Sequence, residues 1–143
     1  MTVGEKIRKY RTQKGLSQKE LAIASKMSEP AIRNYELGNR NPSKKHLEAI
    51  SAALGVSVFA ISDPDLDSEH GVMHSLFALE DAYGFKINKD GPEISIICND
   101  ISFLSRLSDW GEMFNKFKNG DITKEEYDEW RDTYPEKAVV NKR

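Results

Sequence analysis

Five helix starts and stops crowd into the first 62 residues, so neither a long helix nor a continuous sheet fits there. Thr2 and Glu5 have the spacing of a capping box, in which the hydroxyl accepts from the amide three residues on while the carboxylate reaches back to the cap amide. Val3, Ile7 and Tyr10 then mark one helical face, and Gly15 ends the segment. Ser17-Gln18-Lys19-Glu20 repeats the box ahead of Leu21 and Ala22. Met27-Ser28-Glu29-Pro30 is a third start, because proline has no amide to lose in a first turn. Ser28 is expected to cap Ala31, with Ile32 and Tyr35 inward and Gly38 as the stop. A fourth helix follows Pro42-Ser43, with Leu47, Ile50 and Leu54 inward and Gly55 after it. A short fifth follows Ser57, with Val58 and Ile61 inward.

Ser62-Asp63-Pro64-Asp65-Leu66-Asp67-Ser68 breaks both this periodicity and the basic run, which predicts a linker over 63–67 between domains 1–62 and 68–143. The charge changes sign across it. Residues 1–62 hold 11 Lys+Arg against 5 Asp+Glu, net +6, and residues 63–143 hold 10 against 18, net −8. A basic first half suits a polyanionic partner, and the acidic second half does something else. The lone cysteine, Cys98, closes no intrachain bridge, no stretch of about 18 apolar residues would cross a membrane, and the opening residues lack a secretion signal. A cytoplasmic chain without membrane association is expected.

The second half reads as a small α+β domain. A helix from about Ser68 to Tyr83 carries Val72, Leu76, Leu79 and Tyr83, and Gly84 ends it. Phe85-Lys86-Ile87 and Glu93–Cys98 flank Asn88-Lys89-Asp90-Gly91-Pro92 as a β-hairpin. A longer helix from near Asp100 to Asn119 carries Phe103, Leu107, Trp110, Phe114 and Phe117. Thr123-Lys124-Glu125-Glu126 then caps a last helix with Tyr127, Trp130 and Tyr134, and Pro135 is expected to end the ordered chain. Some 75 residues bury only a modest core alone, so pairing of two copies is expected to supply the missing burial.

The second and third helices are joined by a few residues around Ser25-Lys26-Met27, the helix-turn-helix arrangement in which the second helix enters a major groove. Leu16-Ser17-Gln18-Lys19-Glu20-Leu21-Ala22, then Glu36-Leu37-Gly38-Asn39-Arg40-Asn41-Pro42-Ser43, then Ala53-Leu54-Gly55-Val56-Ser57 resemble the Cro/repressor-type (XRE) family over about residues 3–62. The resemblance implies a mainly α chain, with a five-helix lambda-repressor-like DNA-binding domain followed by the small helix, hairpin and two-helix domain.

By that resemblance Gln18 bonds a phosphate and braces the recognition helix, and Arg11 and Glu36 form an internal ion pair. Ser17, Lys26, Arg40, Lys44 and Lys45 are expected at phosphates, although Lys44 and Lys45 also fit plain solvated surface. Base reading falls to Glu29, Pro30, Arg33 and Asn34: Glu29 suits cytosine N4, Arg33 the guanine edge, Asn34 the adenine edge and Pro30 a thymine methyl. Glu29 would repel phosphates unless it pairs with a base donor or Arg33, and it also favours the positive helix end. Lys26 departs from the family, which commonly has glycine there to ease the turn. Phe59, polar in familiar relatives, is expected to touch a partner subunit or the second domain.

The function implied is a sequence-specific regulator of double-stranded DNA, a repressor that binds an inverted-repeat operator as a homodimer. The alternative is an antitoxin that autoregulates its operon and grips a toxin, or another protein partner, through its second half. His70 and His74 have the spacing of two metal ligands, but no third ligand neighbours them, so neither enzyme, metal site nor cofactor is expected. His46 is expected on the surface of the fourth helix.

Overall fold

A computed structural model describes residues 1–135. The chain is mainly helical, with α1 (Val3–Gln13), α2 (Gln18–Ala24), α3 (Glu29–Leu37), α4 (Lys44–Leu54), α5 (Val58–Ile61) and α6 (Glu69–Tyr83), then β1 (Lys86–Asn88), β2 (Ser95–Ile97), α7 (Ile101–Lys118) and α8 (Lys124–Asp132). It forms two compact units, Met1–Ala78 and Leu79–Arg143. Among the described residues no helix is long and apolar enough to cross a membrane.

In the first unit local chemistry sets the helix ends. Thr2 Oγ1 accepts from the Glu5 amide at 3.2 Å while the Glu5 carboxylate accepts from the Thr2 amide at 2.7 Å. Ser17 and Glu20 do the same at 3.0 and 2.7 Å. Ser28 caps Ala31 and Ser43 caps His46, each at 3.2 Å. Val3, Ile7, Leu21, Ala22, Ile32, Tyr35, Ile50, Leu54 and Ile61 form one core, with Tyr10, Leu16, Met27 and Leu47 packed on it. α1 and α2 both pack on α3, and α2 also meets α4. The Lys6 ammonium donates to the Ser62 carbonyl at 2.7 Å and ties α1 to the end of α5.

Lys26 is the one described non-glycine residue at positive φ, +58°. The α2–α3 turn therefore needs the left-handed conformation in which a Cβ crowds the following carbonyl, at a cost of roughly 1–2 kcal/mol. Lys26→Gly is expected to stabilise the first unit by about 1 kcal/mol, and chemical unfolding followed by far-UV dichroism checks it. A destabilised variant would show that the lysine side chain itself supports the turn.

The first compact unit runs on past the expected linker at 63–67, to Ala78. The acidic segment is pinned: Asp65 accepts from the Asp67 amide at 2.9 Å and from the Ser68 hydroxyl at 2.8 Å, and those two hydrogen bonds hold its carboxyl below the usual range. Gly71 sits so close to the Asp65 carbonyl that a Cβ would overlap it. The Phe59 ring then lies 5.7 and 6.2 Å from the His70 and His74 rings, so Phe59 meets α6.

In the second unit the strands pair antiparallel with Ile87 opposite Ile96. The hairpin is shorter than the apolar runs suggest, and Asn88, expected in the turn, is the last strand residue. Asp100 caps α7 through the Phe103 amide at 3.1 Å, and Thr123 with Glu126 forms the expected box at α8. Phe103 packs against Tyr83 at 4.9 Å and Phe85 at 5.6 Å, while Tyr127 receives a 2.7 Å hydrogen bond from the Trp110 indole. The expected aromatic stripe of α7 is nonetheless no core: no α7 residue is buried. Cys98 and Tyr127 are the buried apolar side chains among the described residues of this unit. The expectation that order stops after Pro135 lies outside the described residues.

Candidate nucleic-acid interface

α2 and α3 meet across a turn closed from inside. Ser25, buried, donates its hydroxyl proton to the Leu21 carbonyl at 2.7 Å, and the Met27 amide donates to the Ala22 carbonyl at 2.8 Å. Ile32 and Tyr35 anchor the inner side of α3 in the core, at 0% and 3% exposure. That orientation leaves Pro30 and Arg33 exposed and Glu29 and Asn34 half-buried. Arg33 reaches back to Glu29 at 3.6 Å, so the one acid on this edge is partnered along the helix rather than left to repel phosphate. At the far end Gly38 turns left-handed, φ +79°, and the Asn39 amide donates to the Asn34 carbonyl at 3.0 Å.

Behind α3 lies the implied ion pair. Arg11 Nε and Nη2 donate to the two Glu36 carboxylate oxygens at 2.5 and 3.0 Å, and Arg11 Nη1 donates to the Leu16 carbonyl at 2.8 Å. Gln18 Nε2 joins them, donating to Glu36 Oε2 at 2.9 Å. Arg11, Gln18 and Glu36 thus lock α1, the start of α2 and the end of α3 to one another. Burial pushes the Glu36 carboxyl upward, but the hydrogen bonds from Arg11 and Gln18 and the charges of Arg11 and Arg8 outweigh it and leave it below its ordinary value. The same bond to Glu36 raises the Arg11 guanidinium against its burial.

The expected phosphate ligands sit at helix starts and in exposed loops. Ser17 spends an oxygen lone pair on its cap, and its hydroxyl proton remains available to an anion. Gln18 spends one amide proton on Glu36 and keeps its carbonyl and second proton. Lys26 and Arg40 are exposed. Lys44 and Lys45 are exposed in the first turn of α4, where no acid offsets them. Cations there oppose the helix dipole, an arrangement that a bound anion would relieve.

Two contacts escaped sequence reasoning. The Tyr35 hydroxyl and His46 Nδ1 are 2.7 Å apart, so exposed His46 tethers α3 to α4. Gly4 lets the α1 backbone touch the end of α3, where a Cβ would overlap the Tyr35 carbonyl. A glycine in the first turn of an otherwise well-formed helix was the available signal for the second; nothing marked the first. Among the described residues no three His, Cys, Asp or Glu side chains gather as metal ligands, and His74 packs its ring between Phe59 and Phe77.

The Helix-turn-helix family model matches residues 7–61. The immunity repressor protein of Bacillus phage phi105 is 39% identical over 61 residues, which are 43% of this chain and 42% of that protein. SinR, a transcriptional regulator of Bacillus subtilis, is 35% identical over 69 residues, 48% of this chain and 62% of SinR. A solved structure of SinR in complex with DNA aligns at 36% identity over 43% of this chain and 100% of that one, with a TM-score of 0.42. The uncharacterised HTH-type transcriptional regulator y4dJ of Sinorhizobium fredii is 33% identical over 69 residues, 48% of this chain and 90% of that protein. The match thus spans less than two thirds of the immunity repressor and of SinR. The matched segment is the one in which the left-handed turn and the braced helix lie, and with nine tenths of a relative such as y4dJ covered, the chain belongs to the Cro/repressor-type helix-turn-helix family.

Proposed function

We propose that this chain is a sequence-specific regulator that occupies double-stranded DNA, a cytoplasmic repressor working as a homodimer and catalysing nothing. The observation that carries the reading is the two-sided character of α3: its inner edge is immobilised by Ile32, Tyr35 and Glu36, and its outer edge presents Glu29, Pro30, Arg33 and Asn34. A rigid helix with hydrogen-bonding groups on one edge suits a major groove, where each base pair displays its own pattern of donors and acceptors. The net +6 of residues 1–62 supplies affinity by displacing counterions. Residues 1–62 are the DNA-binding part and residues 68–143 the dimerisation or regulatory part. Names such as immunity repressor and transcriptional regulator among the relatives support the reading.

Selecting bound sequences from a random duplex pool tests it, and recovery of an inverted repeat with half-sites about 34 Å apart is the expected result. No enrichment at low salt would end the proposal. On the selected operator Arg33→Ala and Asn34→Ala are each expected to cost about 1–3 kcal/mol, with much less loss on random DNA. Equal losses on both would remove them from base reading. Lys44→Ala is expected to weaken every sequence similarly and to lower the salt slope by about one unit; an unchanged slope would place Lys44 away from phosphate.

A further inference from the structure

We propose that His46 is a positioning residue for operator recognition: through Tyr35 it fixes the angle between α3 and the start of α4. The inference rests on the DNA-reading function proposed above and assigns to it a residue that touches no base. The packing of the two helices runs mainly through other elements, α3 on α1 and α2, α4 on α2, α5 and α1. Residues 38–43, which join α3 to α4, contain neither helix nor strand. Across that connection the Tyr35 hydroxyl meets His46 Nδ1 at 2.7 Å, and among the described residues no other side-chain hydrogen bond links α3 to α4.

The two ends of this link are anchored differently. Tyr35 lies in the core with Ile32, and it directly follows Arg33 and Asn34 in the chain. His46 is exposed and directly follows Lys44 and Lys45, and its amide is held by the Ser43 cap at 3.2 Å. The Tyr35 hydroxyl has no other hydrogen-bond partner among the described residues, and a buried hydroxyl left without one is costly. It therefore donates to Nδ1, and the ring carries its proton on Nε2.

Such a link joins the two tasks of a DNA-binding surface. Contacts to phosphates set the register, and contacts to base edges choose the sequence. With Lys44 and Lys45 on the backbone and Arg33 and Asn34 at the bases, the angle between α4 and α3 decides whether the paired donors and acceptors of Arg33 and Asn34 meet a base edge squarely. Contacts of that kind tolerate only about 0.5 Å or roughly 10–20° of misplacement. Backbone contacts are less exacting, since every sequence presents the same phosphates. Loss of the Tyr35–His46 bond therefore costs the operator more than it costs random duplex.

Titration of the full chain with the selected operator and with random duplex tests the proposal, the readout being the ratio of the two affinities. Tyr35→Phe and His46→Ala are each expected to keep the wild-type far-UV dichroism spectrum and to lower that ratio about fivefold, the scale of one hydrogen bond. The double variant is expected to lose no more than either single one. A merely structural role would weaken both duplexes alike and leave the ratio unmoved. His46→Asn, whose Oδ1 stands where Nδ1 does and accepts the same proton, is expected to restore the ratio, while His46→Gln, which places its amide out at the position of Nε2, is not. In the free protein the ring-nitrogen shifts of His46 are expected to show an accepting Nδ1 in mildly alkaline buffer and to move in Tyr35→Phe. An unchanged ratio in both single variants overturns the proposal, as do additive losses in the double variant. Rescue by Gln equal to that by Asn also overturns it, since the outer nitrogen would then be a direct contact. If no operator is recovered, the DNA-reading function itself fails; if one is recovered and these ratios do not move, this inference alone fails.

Discussion

Glu36→Ala is expected to cost the first unit about 3–5 kcal/mol, the range for breaking a buried pair by removing one member. Glu36 is 4% exposed and Arg11 12%, so the guanidinium that remains has little water to turn to, and Gln18 loses its acceptor as well. The cost comes from the stranded charge rather than from the pair's own attraction. Replacing both partners, Arg11→Met with Glu36→Leu, is therefore expected to be milder than either single loss. Denaturant unfolding followed by far-UV dichroism measures all three. A loss under about 1 kcal/mol for Glu36→Ala would mean that solvent screens the pair as on a surface.

The same pair sets an acid dependence. The folded carboxyl of Glu36 lies below its ordinary value of 4.5, so its stabilisation is fully present above pH 4.5 and is lost as pH falls through the folded value. The stability gap between wild type and Glu36→Gln should accordingly be widest above that pH and narrow below it. A gap that widens on acidification would reverse the assignment.

Gly4→Ala is expected to destabilise by about 3 kcal/mol, against the usual gain when alanine replaces glycine in a helix. The new Cβ would overlap the Tyr35 carbonyl and lie 3.1 Å from that of Glu36, and both obstacles are backbone. No side-chain rotation relieves such a contact, so α1 and the end of α3 must separate. Since the ion pair joins the same two helices, operator affinity should fall along with stability. Denaturant unfolding and operator titration of the variant check both, and a stabilised variant with wild-type affinity would disprove the close approach.

Much of the first unit was legible because its instructions are short-range. Thr2, Ser17, Ser28 and Ser43 each bond an amide two or three residues into their helix, and Gly38 and Gly55 each supply a left-handed residue at a helix end. Groups so close in sequence meet whatever the rest of the chain does. The Arg11–Glu36 pair was legible by family resemblance alone, since nothing local joins residues 25 apart. Prolines and aspartates signal a break in periodicity, whereas the packing of Phe59 and Gly71 against neighbouring elements decides where a compact unit ends.

By itself the sequence determined which segments are helical, where each begins and ends, and which edge of α3 faces outward, because these follow from hydrogen bonds and apolar periods within a few residues. Tertiary structure alone decided that Gly4 touches Tyr35, that His46 holds the same tyrosine, and that α7 and β2 keep their apolar side chains uncovered. Each of these depends on which distant surfaces arrive at the same place, and an aromatic stripe reads alike along a chain whether it lies in a core or faces outward.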